Sequence, residues 1–193
     1  MSQDNVEIVR KPLRVRGRSS RTLDERLLVR FPRLAAAYVP RVARFIDRLP
    51  PGSRLRQALV WRAMRGTMEA WNRRDLDVVL LGQHPDCEHR PPREFVEAGL
   101  WEPCYRGREG YRRLMAGWSD VGTHGQLEPT ELIDLGDRLV LLSTMSASSS
   151  HLGGAPLIRS YASVLALKDG RAISVTEYVD HAEALKAVGL PEQ

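Results

Sequence analysis

Two cysteines in 193 residues exclude a disulfide-stapled scaffold. Long apolar runs are missing too. The longest uncharged stretch, Leu139 to Ile158, has 20 residues but carries five Ser, one Thr, one His and two Gly, too polar to span a bilayer. The opening MSQDNVEIVR has no apolar h-region, so no secretory signal is legible and a cytoplasmic location is expected. There is no Walker motif, no GxGxxG and no nucleophile elbow, which removes the common phosphate-cradling and Ser-hydrolase arrangements. His84, Cys87 and His89 lie close in sequence, but H-x2-C-x-H fits no zinc-site spacing. Neither a metal nor another cofactor is expected.

Apolar residues make up 42% and charged residues 27%, the balance of an ordinary globular chain with one real core. The net charge of +5 hides an asymmetry. Residues 1–66 hold 16 basic and 5 acidic side chains, and residues 67–193 hold 13 and 19. A split of +11 against −6 points to two regions with different tasks.

The first ten residues read as a short helical start, and the basic stretch KPLRVRGRSSR as an extended, solvated linker. Thr22-Leu-Asp-Glu25 is a capping box that opens a helix. Leu34, Tyr38, Val42, Phe45, Ile46 and Leu49 then recur at helical spacing, with arginines on the other face and a break or kink expected at Pro40. Ser53 caps a further helix that runs to about Asn72, and Asp75–Leu81 reads as a short helix. Beyond Asp86 the texture changes. A short strand at Cys87–Arg90, a long loop and a helix at Arg108–Trp118 precede four β segments, 126–134, 138–148, 157–167 and 171–179, and a closing helix at 180–188. Helices first and hairpins later make the fold class α+β.

The strings AWNRRDLDVVLLGQHPDCEHR, YRGREGYRRLMAGW, ELIDLGDRLV and LKDGRAISVTEYVDHAEALKAVGL, in this order and spacing, resemble the SnoaL-like branch of the nuclear transport factor 2-like superfamily over about residues 67–193. The resemblance implies a cone: a strongly curved, mostly antiparallel sheet packed on helices, with a pocket inside and a homodimer as the usual assembly. It divides the chain into a basic helical extension, 1–60, and a SnoaL-like domain, 61–193, with 11–65 resembling an insertion. Members include ketosteroid isomerase, polyketide cyclases and limonene epoxide hydrolase, alongside binding modules, so the fold leaves function open. By position, the isomerase's helix tyrosine falls on Thr67, its base on Pro91 and its oxyanion acid on Ser163. All three differ, and proline cannot accept a proton.

Alternation supplies the remaining candidates, since successive strand side chains face opposite sides. Anchored on Pro91 and Ser163, it turns Cys87, His89, Arg159, Tyr161 and Leu165 inward, and Val175, Glu177 and Val179 with them. Glu177, His89 and Arg159 are the candidate catalytic residues: a buried Glu is a general base and His titrates near neutrality. Glu177 and Arg159 are expected side by side, which would also suit a structural ion pair. Thr67, Trp71, Tyr161, Ser163, Val175 and Val179 are the candidate ligand contacts. The expected function is that of a small-molecule pocket protein for an apolar or carbonyl-bearing metabolite, an isomerase, cyclase or hydrolase-type enzyme without the known isomerase set. The competing expectation is a non-catalytic interaction module whose residues 11–50 dock on an anionic membrane surface or on nucleic acid, giving a membrane-peripheral location.

Overall fold

The computed structural model describes residues 8–13, 20–120, 125–147 and 157–191. Thr22 opens α1 (Leu23–Arg30), and the capping box forms: its hydroxyl accepts from the Glu25 amide while Glu25 accepts from the Thr22 amide at 2.8 Å. Pro32, which needs no amide partner at a helix start, begins α2 (Pro32–Asp47), and the helix runs on through Pro40. Ser53 caps α3 (Arg54–Asn72), which continues unbroken across residue 60. Then follow α4 (Leu76–Val79), a 3-10 turn at Leu80–Gly82 and β2 (Gln83–Arg90), β1 being the segment Val9–Pro12. The long connection carries α5 (Arg93–Glu97) and β3 (Tyr105–Arg106) before α6 (Gly107–Asp120). Three long strands, β4 (Gln126–Asp134), β5 (Arg138–Ala147) and β6 (Leu157–Lys168), lead to β7 (Arg171–Tyr178) and α7 (His181–Ala187).

The seven strands form one sheet in the order β1-β4-β5-β6-β7-β2-β3. Every neighbouring pair is antiparallel except β2 and β7. Register shifts at Pro129/Glu131, Ala166/Leu167 and Gln83/Glu88 mark bulges of the kind that increase twist and bend a sheet. One face, carrying Leu139, Leu141, Met145 and Tyr161, forms the main core with α3 and α6. The other face buries Ile133, Val140, Leu142 and Ala162 against Ala184 and Leu185 of α7. The fold is α+β, as expected.

The N-terminus differs from the sequence reading. Val9–Pro12 is a strand, not a helix, and pairs antiparallel with β4 from Val9↔Asp134 to Pro12↔Glu131. A β-branched start beside the open edge of β4 gains a ladder of hydrogen bonds that an isolated short helix cannot match. Leu13, expected in a solvated linker, is 1% exposed and joins the main core. Residues 1–7 and 14–19 lie outside the described residues.

Besides the β1–β4 ladder, the extension is fastened to the cone by an ion pair of Glu25 with Arg73 at 2.9 Å and by two further contacts. On α3, the Arg56 side chain is 2% exposed and makes a two-pronged pair with the fully buried Asp134 at the end of β4, at 2.8 and 3.0 Å. Its remaining donors reach the carbonyls of Ile46, Asp47 and Leu49, which close α2, and that of Gly136. The second contact is at the β6–β7 turn. Gly170 has φ +69, and a Cβ there would sit 2.1 Å from the Ala43 carbonyl oxygen. Only glycine permits both that backbone and that approach.

Candidate functional site

Register defines the inner face. Paired residues on neighbouring strands point to the same side. Leu141, Ser163 and Glu177 form one row, and Leu139, Leu165, Val175 and His89 form the next. Leu139 and Leu141 belong to the core under α3 and α6, so His89, Val175 and Glu177 look into the cone. On β2, Cys87 and His89 are buried. Glu88 between them faces out and pairs with Arg90 and Arg106.

These elements bring four polar side chains into an aromatic enclosure. The Glu177 carboxyl accepts from the Tyr161 hydroxyl, while its Oε2 is buried without a partner. Burial, offset in part by that hydrogen bond, pushes its pKa up from 4.5 to about 7. Tyr161 is held protonated by burial and by the nearby Glu177. From α6, Tyr111 accepts from the Trp71 indole and is likewise kept neutral by burial and by Glu177. The His89 ring lies 4.4 Å from that of Tyr111, and its Nε2 is 3.5 Å from Cys87 Sγ. Burial lowers the His89 pKa from 6.5 to about 4 and raises the Cys87 thiol to about 12, so both are neutral at pH 7. The Nδ1 of His89 is buried without a partner. Trp118, edge-on to Trp71 at 6.0 Å and to Tyr161 at 6.4 Å, completes the wall.

Val175 joins this polar group to an apolar cavity. The cavity has a volume of about 130 Å³ and runs between Met64 and Thr67 of α3 and Leu139, Leu165 and Val175 of the sheet. The end of α2, at Ile46 and Asp47, roofs it. Two residues along a strand is about 6.6 Å, so the Glu177 backbone lies one such step beyond Val175. The space matches a single ring, since an apolar cavity of about 150 Å³ accepts benzene.

Most of the expected residues meet here, and two do not. His89, Glu177, Tyr161 and Ser163 share the inner face, Trp71 holds Tyr111, and Thr67 and Val175 line the cavity. Arg159 is not beside Glu177. It pairs in register with Met145, is exposed, and leaves Ser163 as the residue opposite Glu177. Alternation gave its parity correctly but not how far along β6 the enclosed part of the cone extends. Val179 stands one residue past the end of β7, where alternation no longer applies. Tyr111 was missed as a site residue. Its place in the stripe with Leu114, Met115 and Trp118 reads as core, and its hydroxyl, the lone polar atom of those four apart from the indole N–H, was the available signal. Among the described residues no group of three or more His, Cys, Asp and Glu is placed to hold a metal.

The model of the SnoaL-like domain matches residues 64–175. No curated protein matches the chain significantly. Among solved structures, TerC co-crystallised with polyporic acid is 25% identical with a TM-score of 0.55, over 65% of this chain and 94% of that one. An NTF2-like protein from Burkholderia pseudomallei is also 25% identical at TM-score 0.55, over 66% and 95%. A SnoaL-like protein from Jannaschia sp. shares the fold at 16% identity and TM-score 0.52, over 72% and 97%. The matched domain begins within α3, so α1 and α2 lie outside it. With the family model spanning more than half its length, the chain belongs to the SnoaL-like domain family.

Proposed function

We propose that the chain is a proton-transfer enzyme for a small, largely apolar, carbonyl-bearing metabolite, with Glu177 as the group that takes and returns the proton. The observation that carries this reading is the Glu177 carboxyl itself: enclosed, with one unpartnered oxygen and a pKa of about 7. A base poised near the working pH is the most effective proton shuttle, and burial without use would be a plain loss of stability. The β2–β7 ladder supports the same assignment. Its last pair is Arg90 with Thr176, and Glu177 follows directly on β7, so a carboxylate stands on the strand next to the one that ends before Pro91.

The chemistry follows from the groups present. Glu177 Oε2 removes a proton from the carbon next to the carbonyl, and the C–H electron pair moves onto the carbonyl oxygen as an enolate. The neutral hydroxyl of Tyr111 and the neutral imidazole of His89 are the donors for that oxygen. The proton then returns to another carbon, which is isomerisation. In the alternative the enolate carbon attacks a second carbonyl of the same molecule, and the new alkoxide takes the proton, which is ring closure. A neighbour of 25% identity crystallised with polyporic acid, which supports an organic ligand in the cone. The ring-sized cavity beside Val175 seats the apolar part.

The test uses a panel of cyclic ketones and enones, first ranked by the rise in melting temperature they cause. Bound ketones are then followed in D2O by NMR. The protein is expected to exchange the proton next to the carbonyl faster than buffer, and Glu177→Gln to slow that exchange about 100-fold or more while binding persists. Binders that never exchange would overturn the enzyme reading in favour of a non-catalytic binder.

A further inference from the structure

Among the described residues ten large apolar side chains are exposed, and six of them fall on α1, α2 or the residue between: Leu23, Leu27, Phe31, Leu34, Tyr38 and Phe45, from 49% to 78% exposed. On α2 the arrangement is inverted. The small Ala35 and Ala43 are buried, and Gly170 makes room for Ala43. Leu34, Tyr38 and Phe45 fall on one stripe by helical spacing and stay in solvent. Arg33, Arg41, Arg44 and Arg48 flank the stripe, and Arg26 and Arg30 are exposed on or beside α1. Against these six exposed arginines stand the exposed Asp24 and Asp47.

We propose that α1 and α2 form a docking surface for an anionic lipid bilayer. Large apolar and aromatic side chains interleaved with arginine are what an interfacial helix needs: the apolar stripe enters the headgroup–acyl boundary while guanidinium groups meet phosphates. Charge decides against a second copy of the chain. A two-fold contact through this face would set arginine against arginine, whereas an anionic surface complements it. Apolarity decides against nucleic acid, whose phosphates would engage the arginines and leave Leu34, Tyr38 and Phe45 in water. Among the described residues no helix is long and apolar enough to cross a membrane, so contact is peripheral. This inference is independent of the chemistry in the cone.

Sedimentation of the full chain with vesicles tests it. At about 0.05 M salt, where surface attraction is weakly screened, the chain is expected to pellet with phosphatidylcholine vesicles containing phosphatidylserine. It should stay in solution with phosphatidylcholine alone, and high salt should release it. Two triple variants, Leu34→Ser/Tyr38→Ser/Phe45→Ser and Arg33→Gln/Arg41→Gln/Arg44→Gln, should each lower the bound fraction at least tenfold. Their melting temperatures should match the parent, because the changed side chains face out. Indifference to anionic vesicles overturns the proposal. So does a serine variant that binds vesicles like the parent, or that turns a dimer into a monomer, which would give the face to a second copy. Retention of duplex DNA on filters without vesicle binding would give it to nucleic acid.

Discussion

Arg56→Met is expected to lower stability by about 3–5 kcal/mol, the usual cost of stranding one partner of a buried ion pair. For a chain of this size that is a fall of about 6–20 °C in melting temperature. The expectation rests on Asp134, which is fully buried and would lose its guanidinium partner. It rests also on the carbonyls of Ile46, Asp47 and Leu49, which would lose the donor that closes α2. The double variant Arg56→Met/Asp134→Leu separates the two. Removing both charges should recover part of the loss, since apolar replacements of buried pairs are often tolerated. The Asp47 and Leu49 carbonyls still lack their side-chain donor, while that of Ile46 keeps the Leu49 amide, so the double variant should remain below the parent by about 1–3 kcal/mol. Calorimetric melting of the three proteins reads this directly. A parent-like melting temperature for Arg56→Met would mean that the pair is not enclosed.

Stability should be nearly independent of pH between about 4.5 and 6.5, because two titrations in the cone oppose each other. The Glu177 pKa rises from 4.5 to about 7. Across that interval the folded chain keeps a proton that the unfolded chain has shed, and stability falls as pH rises, by about 3 kcal/mol in all. His89 goes the other way, from 6.5 down to about 4. Here the unfolded chain holds the extra proton, and stability falls as pH drops, again by about 3 kcal/mol. Tyr111, Tyr161 and Cys87, all pushed upward, do not titrate in this range. Asp24 and Asp75, both lowered by hydrogen bonds, add a loss only below 3.8. Single variants should expose each slope. Glu177→Gln should lose stability on acidification from pH 6.5 to 4 and exceed the parent by up to about 3 kcal/mol above pH 7. His89→Phe, which keeps a ring against Tyr111, should lose stability as pH rises from 4.5 to 7. Denaturant unfolding across this range is the measurement. A Glu177→Gln profile parallel to the parent's would mean that Glu177 does not carry the raised pKa. Among the described residues no arginine forms an ion pair with Glu177, so neutralising it strands no counter-charge there, the reverse of what an Arg159 pair would have required.

The local rules of the chain were legible, and the long-range ones were not. Thr22 and Ser53 announce their helices by their side chains alone, and Asp137 and Gly170 mark turns that fix which strands are neighbours. Period two then carried Cys87, His89, Ser163 and Glu177 to the inner face. Arg56 gave no such signal. It is one of 29 basic residues, its partner is 78 positions away, and nothing in helical spacing marks one arginine of a basic helix as the inward one. Arg159 failed for a related reason: alternation says which side a residue faces, not where along the strand the enclosure ends. The strand at Val9–Pro12 was misread because a four-residue segment has no period of its own, and the edge of β4 decides its form.

The parallel contact between β2 and β7 governs when the cone can exist during synthesis. β7, at residues 171–178, stands between β6 and β2, so everything from β2 to α6 waits for a strand made almost last. Until it emerges, β6 and β2 each present a bare edge, and the apolar inner faces of two half-sheets stand open, a state prone to pair wrongly. A chain cut short after Lys168 would be held there for good. Glu177 arrives on that same strand, so a nascent chain has either an open sheet without its proton carrier or a closed cone that already contains it.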